Sequence, residues 1–216
     1  MVVVMVIQDN TLKQKLENIY FVWGSGKTTL ANALAEKYGF YVYHTDDSRS
    51  WHFKNTSPEH QPAMCRDVPD FWALEKDDAL NWEKSIVTEM TPMIVADLIY
   101  LSGKYEKIIC EGDIDIDLIA PVVTNAVTIS NYGDSYDFFN RPEQLHMIEE
   151  IKSRDISQDE KDKLIANAYS IVGGSSSKEP PKETVLYGIK EIIRTNKTTV
   201  YDTVAEVEKY WELSKK

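Results

Sequence analysis

IYFVWGSGKTTLA, Ile19 to Ala31, runs a short apolar strand into Gly-Ser-Gly-Lys-Thr and then into an alanine-rich helix start. Glycines let backbone N–H groups come close to phosphate oxygens. The helix after them offers unpaired N–H groups and the positive end of its dipole. A lysine at this point reaches the β/γ-phosphates, and a Ser or Thr hydroxyl after it ligates Mg²⁺. Gly24, Ser25, Gly26, Lys27, Thr28 and Thr29 are therefore the candidate nucleotide-binding residues, with Lys27 also a candidate catalytic cation and Thr28 a candidate metal ligand. The competing reading is a strand-turn-helix that uses Gly24 and Gly26 only for the turn, although a generic turn does not require Lys then Thr. The full signature is G-x-x-x-x-G-K-[ST]. Counting back from Gly26-Lys27-Thr28, the opening glycine belongs at position 21, where the chain has Phe21.

Along the rest of the chain strands and helices alternate, which predicts a parallel α/β sheet. Strands are expected at Ile19–Val22, Phe40–His44, Lys107–Cys110, Ala126–Ile129 and Ile192–Arg194. Thr28–Tyr38 has helical spacing at Leu30, Leu34 and Tyr38, with Gly39 as its stop. Asp77–Leu101 reads as a long helix with a kink at Pro92. Further helices are expected at Asp115–Val123, Pro142–Arg154, Gln158–Ile171, Lys182–Lys190 and Val200–Leu213. GGSSSKEPP, Gly173–Pro181, has linker composition. Ser48 to Asp70 is polar and broken by Pro58, Pro62 and Pro69, so it is expected to line a site or carry short helices. The ligand crevice of such a sheet lies at the carboxyl ends of its strands, where strand order reverses.

The chain has 216 residues, 43% of them hydrophobic, enough for one sizeable core with a small lid or insert. Its net charge of −11 argues against a general nucleic-acid surface but leaves room for a local basic pocket that holds a small anion. Cys65 and Cys110 make neither a disulfide framework nor metal-ligand spacing. MVVVMVI at the start is too short for a membrane span and lacks the features of a signal peptide. A cytoplasmic protein with no nucleic-acid and no membrane partner is expected.

Acids stand at the strand ends. Asp46 and Asp47 come after the second strand, where a carboxylate can take the proton of an attacking hydroxyl or hold Mg²⁺ through water. An N-cap or Asx turn is the alternative. Glu111 ends KIICE at a position suited to organising Mg²⁺, ahead of Asp113 as a metal ligand. Arg49 and Arg66 flank the irregular segment as anchors for an anionic acceptor or as internal ion-pair partners. Trp51, His52, Phe53, Trp72 and Trp82 crowd the same half, and Trp72 and Trp82 are read as packing residues.

ENIYFV, SGKTTLANALAEKYGFYVYHTDD and IICEG together resemble P-loop kinases of the nucleoside, adenylate and shikimate kinase type. More narrowly, the chain is similar to an uncharacterised bacterial branch with a Gly-Gly-x-Pro-x-Ser-Gly-Lys-Ser/Thr loop. SPEHQP and EMTPMIVADLIYL extend the likeness over nearly the whole chain. The resemblance implies a three-layer P-loop NTPase fold with a five-stranded parallel sheet, in one domain spanning residues 1–216. It places a substrate-side insert at 48–75 and a lid-like helical region at 135–181. Arg141, Lys152 and Arg154 fall in that lid; Arg141 and Arg154 are the candidates to meet the transferring phosphoryl group. Thr195–Thr199 would abut the adenine. The implied ligands are ATP, Mg²⁺ and a small hydroxyl- or phosphate-bearing acceptor, and the implied activity is phosphoryl transfer. Against the branch pattern the loop is about three residues short. The consequence is either an unwound strand end, with Phe21 to Trp23 serving as loop, or an incomplete cradle partly filled by Trp23. In the second case the chain is a nucleotide-binding protein with little or no transfer activity, or a nucleotide-gated interaction module.

Overall fold

Five strands form one all-parallel sheet in the order β2-β3-β1-β4-β5. The computed structural model describes residues 10–131, 142–175, 188–195 and 197–213. The strands are β1 (Ile19–Gly24), β2 (Tyr41–His44), β3 (Ile108–Glu111), β4 (Asn125–Asn131) and β5 (Lys190–Arg194). The helices are α1 (Asn10–Lys15), α2 (Lys27–Tyr38), α3 (Thr45–Lys54), α4 (Lys76–Ser102), α5 (Ile116–Ile119), α6 (Pro142–Ser153), α7 (Gln158–Ser175) and α8 (Val200–Tyr210). A 3-10 turn spans Phe71–Ala73. The chain leaves β1 toward one edge, returns through β3, and then crosses to β4 on the other side of β1. The order therefore reverses around β1, and a crevice opens beside its carboxyl end.

Alternation along β1 divides the interior into two layers. Ile19, Phe21 and Trp23 join Ile86, Met90, Ile94 and Leu98 of α4 in one core. Val22 points the other way, with Leu30, Ala31 and Leu34 of α2 and Val204 and Val207 of α8. Trp23 thus belongs to the core: it is buried and stacks on Phe21 with ring centroids 5.8 Å apart. It does not fill the loop, contrary to the expectation from sequence, because strand periodicity turns it toward α4.

The long helix continues through Pro92, which sits on its exposed face. The Thr88 carbonyl left without a helical donor by the proline ring therefore falls on the solvent side. By length and composition α4 could cross a membrane. Its buried residues, however, recur at helical spacing against the sheet, as in the core helix of an α/β layer.

The polar stretch after β2 is more ordered than its prolines suggest. Thr45–Lys54 is helical, so Asp46 and Asp47 occupy the first turn of α3 instead of a loop. There carboxylates complement the helix dipole. Further on, the Glu89 carboxylate accepts from the Ala63 and Met64 amides, both at 2.9 Å, and Trp82 Nε1 donates to the Ala63 carbonyl at 2.8 Å. Fully buried His52 meets Asp97 at 2.9 Å, and the Tyr43 hydroxyl donates to the same carboxylate at 2.7 Å. Burial chiefly, and Asp97 with it, pushes the Tyr43 hydroxyl well above its ordinary range and keeps it a donor.

Helices α6 and α7 form a small core of their own from Met147, Ile148, Ile151 and Ala168, with Trp72 packed against it. The Asn167 amide donates to the Trp72 and Leu74 carbonyls, each at 2.7 Å. Helix α7 runs on to Ser175, so Gly173 and Gly174 are helical, not linker. Lys190 opens β5 and does not close a helix; residues 182–187 of the expected helix lie outside the described residues. Helix α1, absent from the sequence reading, buries Leu12 and places Leu16, just past its end, in the α4-side core.

Candidate functional site

Strand β1 reaches Gly24, two residues beyond the expected end. The parallel register pairs Trp23 with Thr128 and Gly24 with Ile129. The Ser25 amide donates to the Ile129 carbonyl at 2.9 Å. These pairings use backbone groups that a longer loop would present to a ligand. The strand end does not unwind, and the turn into α2 begins only at Gly24.

The helix start beyond Ser25 keeps its donors. Gly26 is the N-cap of α2 in a left-handed conformation, with no side-chain cap. The first helical bond to form is Leu30 N–H to the Gly26 carbonyl, 3.1 Å. The amides of Gly26, Lys27, Thr28 and Thr29 precede it, and among the described residues none has a backbone acceptor. A helix N-terminus leaves these groups free, with the positive dipole end behind them. Lys27 is the first residue of the helix, and Thr28 and Thr29 lie beside it in its first turn.

Glu111 arrives from β3, paired in register with Val22 on one side and His44 on the other. It is buried at 3% exposure, the one acid in the core among the described residues. Its two oxygens are both engaged. The Thr28 hydroxyl donates to Oε2 at 3.1 Å, and His44 Nδ1 meets Oε1 at 2.5 Å. His44 fixes the carboxylate so that one oxygen faces the helix start. Sequence reading missed His44; the signal available was its place as the last residue of β2, the same strand-end rule that singled out Asp46.

Asp46 lies at the mouth of this site. Its carboxyl is pushed above the usual range, first by loss of water around it and then by Asp113, while Lys27 pulls it back down. Asp113 itself is exposed, and its amide donates to the Thr45 hydroxyl at 2.9 Å. Asp47 is exposed on the same turn as Asp46.

The arginines are dispersed. Arg154 joins Asp70 at 2.7 Å and Glu150 at 3.3 Å, tying the end of α6 to the segment before the 3-10 turn. Arg49 pairs with Glu83 at 2.7 Å, and Arg66 lies over the Trp82 ring. Lys152 pairs with Glu149. Arg141 lies outside the described residues. Thr195 and Thr198 close a small turn, and Thr199 caps α8. A second residue that sequence reading passed over is Arg194, at the end of β5: a Cβ added to Gly26 would come within 2.4 Å of its Nη1.

Among the described residues, no group of three or more His, Cys, Asp or Glu could hold a metal ion on its own. A Mg²⁺ ion carried by a nucleotide needs only one or two protein oxygens beside phosphates and water. The hydroxyl of Thr28 and the carboxylate of Glu111 fit that requirement. With Glu111→Gln, Mg²⁺-dependent nucleotide binding is expected to weaken roughly 10–100-fold while metal-free binding stays put. Titrations with and without the metal check this, and equal losses would assign Glu111 a structural role.

No family model matches the sequence, and no curated protein matches it. Among solved structures the chain is similar to a "putative kinase" from Chloroflexus aurantiacus, at 16% identity and TM-score 0.43, covering 91% of this chain and 96% of that one. It is also similar to an uncharacterized protein from Eubacterium ventriosum, at 13% identity and TM-score 0.38, covering 91% of this chain and 98% of that one. A third is a sugar kinase from Janibacter sp., at 14% identity and TM-score 0.38, covering 92% of this chain and 95% of that one.

Proposed function

We propose that the chain is an ATP-dependent phosphotransferase acting on a small hydroxyl- or phosphate-bearing acceptor in a reducing, cytoplasmic setting. One observation carries the reading. Gly26-Lys27-Thr28 opens a helix directly after the central strand, and the Thr28 hydroxyl touches a buried acid from the neighbouring strand. A turn used only for chain reversal needs neither the lysine nor the buried carboxylate.

The residues divide the work by position. Lys27 and the four free amides of the helix start bind the phosphates and favour the charge that develops on the transferring group. Thr28 and Glu111 would hold Mg²⁺, which offsets phosphate charge when bound. Asp46 accepts the proton of the acceptor hydroxyl as its oxygen bonds to phosphorus and ADP leaves. Asp46 must be ionised to do so. Because its pKa is raised, activity is expected to climb with pH through a point above the ordinary Asp range. Asp46→Asn is expected to lower kcat by roughly 10²–10⁴.

The test is acceptor-stimulated ADP production across a panel of nucleosides, nucleotides, sugars and sugar acids, with Lys27→Met as the blank. An acceptor that stimulates wild type but not the blank supports the reading, and a pH profile of Asp46→Asn then tests the base. The second reading, nucleotide binding without transfer, is favoured by the Ser25 amide, which is spent on Ile129. Lys27-dependent ATP binding with no acceptor-stimulated ADP release would select it.

A further inference from the structure

Strand β5 alternates like the others. Lys190 pairs with Glu206 at 2.9 Å, and Glu191 accepts from the Ser130 hydroxyl. Ile192 is fully buried in the α2-side core. Two residues on, Arg194 projects on that same face, paired in register with Asn131 beyond the end of β1. It arrives beside Gly26, where an added Cβ would lie 2.4 Å from Nη1 and 3.7 Å from Cζ. Among the described residues its buried Nε has no hydrogen-bond partner and the side chain makes no ion pair.

That placement is electrostatically unfavourable as it stands. A guanidinium next to a helix N-terminus sits at the positive end of the dipole, beside the residue that precedes Lys27. The chain has an excess of acids, −11 overall, yet no described carboxylate pairs with this guanidinium. Like charges held together in this way are stabilised when an anion bridges them. The geometry also matches what is missing from the loop. Against the branch pattern the cradle lacks amides ahead of Gly24, and the Arg194 guanidinium reaches the same helix start from β5, across β4 from β1.

We infer that Arg194 is a phosphate-binding residue of the nucleotide site, its guanidinium taking the place of the absent loop amides. The inference rests on the phosphate-loop reading of Gly24–Thr29. A guanidinium is suited to the substitution because its planar fork bonds two phosphate oxygens at once.

The test is calorimetric titration of the full chain without Mg²⁺, once with ADP and once with inorganic tripolyphosphate, in wild type, Lys27→Ala, Arg194→Met and Arg194→Lys. Methionine keeps the apolar stem; lysine keeps the charge but not the fork. Arg194→Met is expected to weaken both ligands roughly ten- to hundredfold, with Arg194→Lys in between. Wild-type affinity in Arg194→Met, or tighter binding, together with a weakened Lys27→Ala, would overturn the assignment and leave the loop reading standing. Loss for ADP but not for tripolyphosphate would also overturn it, pointing to contact with the base. Wild-type affinity in Lys27→Ala would sink the loop reading itself, and no binding by the wild type would end both. If Arg194→Met melts well below wild type, Arg194→Lys decides: a loss of roughly threefold or more supports the fork, and unchanged affinity refutes it.

Discussion

Inserting a Gly-Gly-x-Pro-type segment between Trp23 and Gly24 is expected to tighten ATP binding by roughly a hundredfold or more. Each charge-assisted hydrogen bond to phosphate is worth roughly 1.5–3 kcal/mol, and two restored amides give that factor. The place for the insertion is set by the packing. Trp23 is buried against Phe21, so residues added before it would rotate the core face of β1. Residues added after it displace only Gly24 and Ser25, whose pairing with Ile129 closes the present loop. Calorimetry with ATP and Mg²⁺ on both forms decides the matter. Low micromolar binding by the native chain with no gain from the insertion would mean that the cradle is already complete.

A Gly24→Ala substitution is expected to destabilise the fold by roughly 3 kcal/mol or more, or roughly 6–12 °C in melting temperature. Gly24 has φ +88°, and its added Cβ would lie 2.1 Å from the Ile129 carbonyl oxygen. That oxygen belongs to the backbone of β4, the strand beside β1, and already accepts the Ser25 amide. Relief therefore requires parting β1 from β4 at the site itself. Gly39 is the control: its φ is +73°, but an added Cβ meets nothing within 4 Å, so Gly39→Ala carries only the conformational penalty, roughly 1 kcal/mol. If the two variants melt alike, β1 does not extend to Gly24 in solution, and the account of the short loop fails with it.

The two expectations are linked through one residue. Gly24 is both the last residue of the strand and the first of the turn into α2, so under the phosphate-loop reading a shorter loop trades phosphate donors for sheet pairing.

The alternation of strands and helices was legible in the sequence, because hydrophobic spacing and glycine stops act locally. So was the helix that opens around Lys27 and Thr28, and strand-end position picked out Glu111 among several nearby acids. Nothing local could decide between an unwound strand end and an incomplete cradle. That choice turns on whether Trp23 gains more from the core than the loop gains from length, and the competing partners, the core face of α4 and the strand around Ile129, come together only in the folded sheet. Arg154 read as free to act, whereas Asp70 lies 84 positions away along the chain and becomes its partner only through tertiary packing. Likewise His44 acquires significance from register with Glu111, and Arg194 from the order that sets β5 two strands from β1. Local pattern is written into neighbouring residues; which distant side chains share a site is decided by strand order and register, and these depend on the packing of the whole sheet.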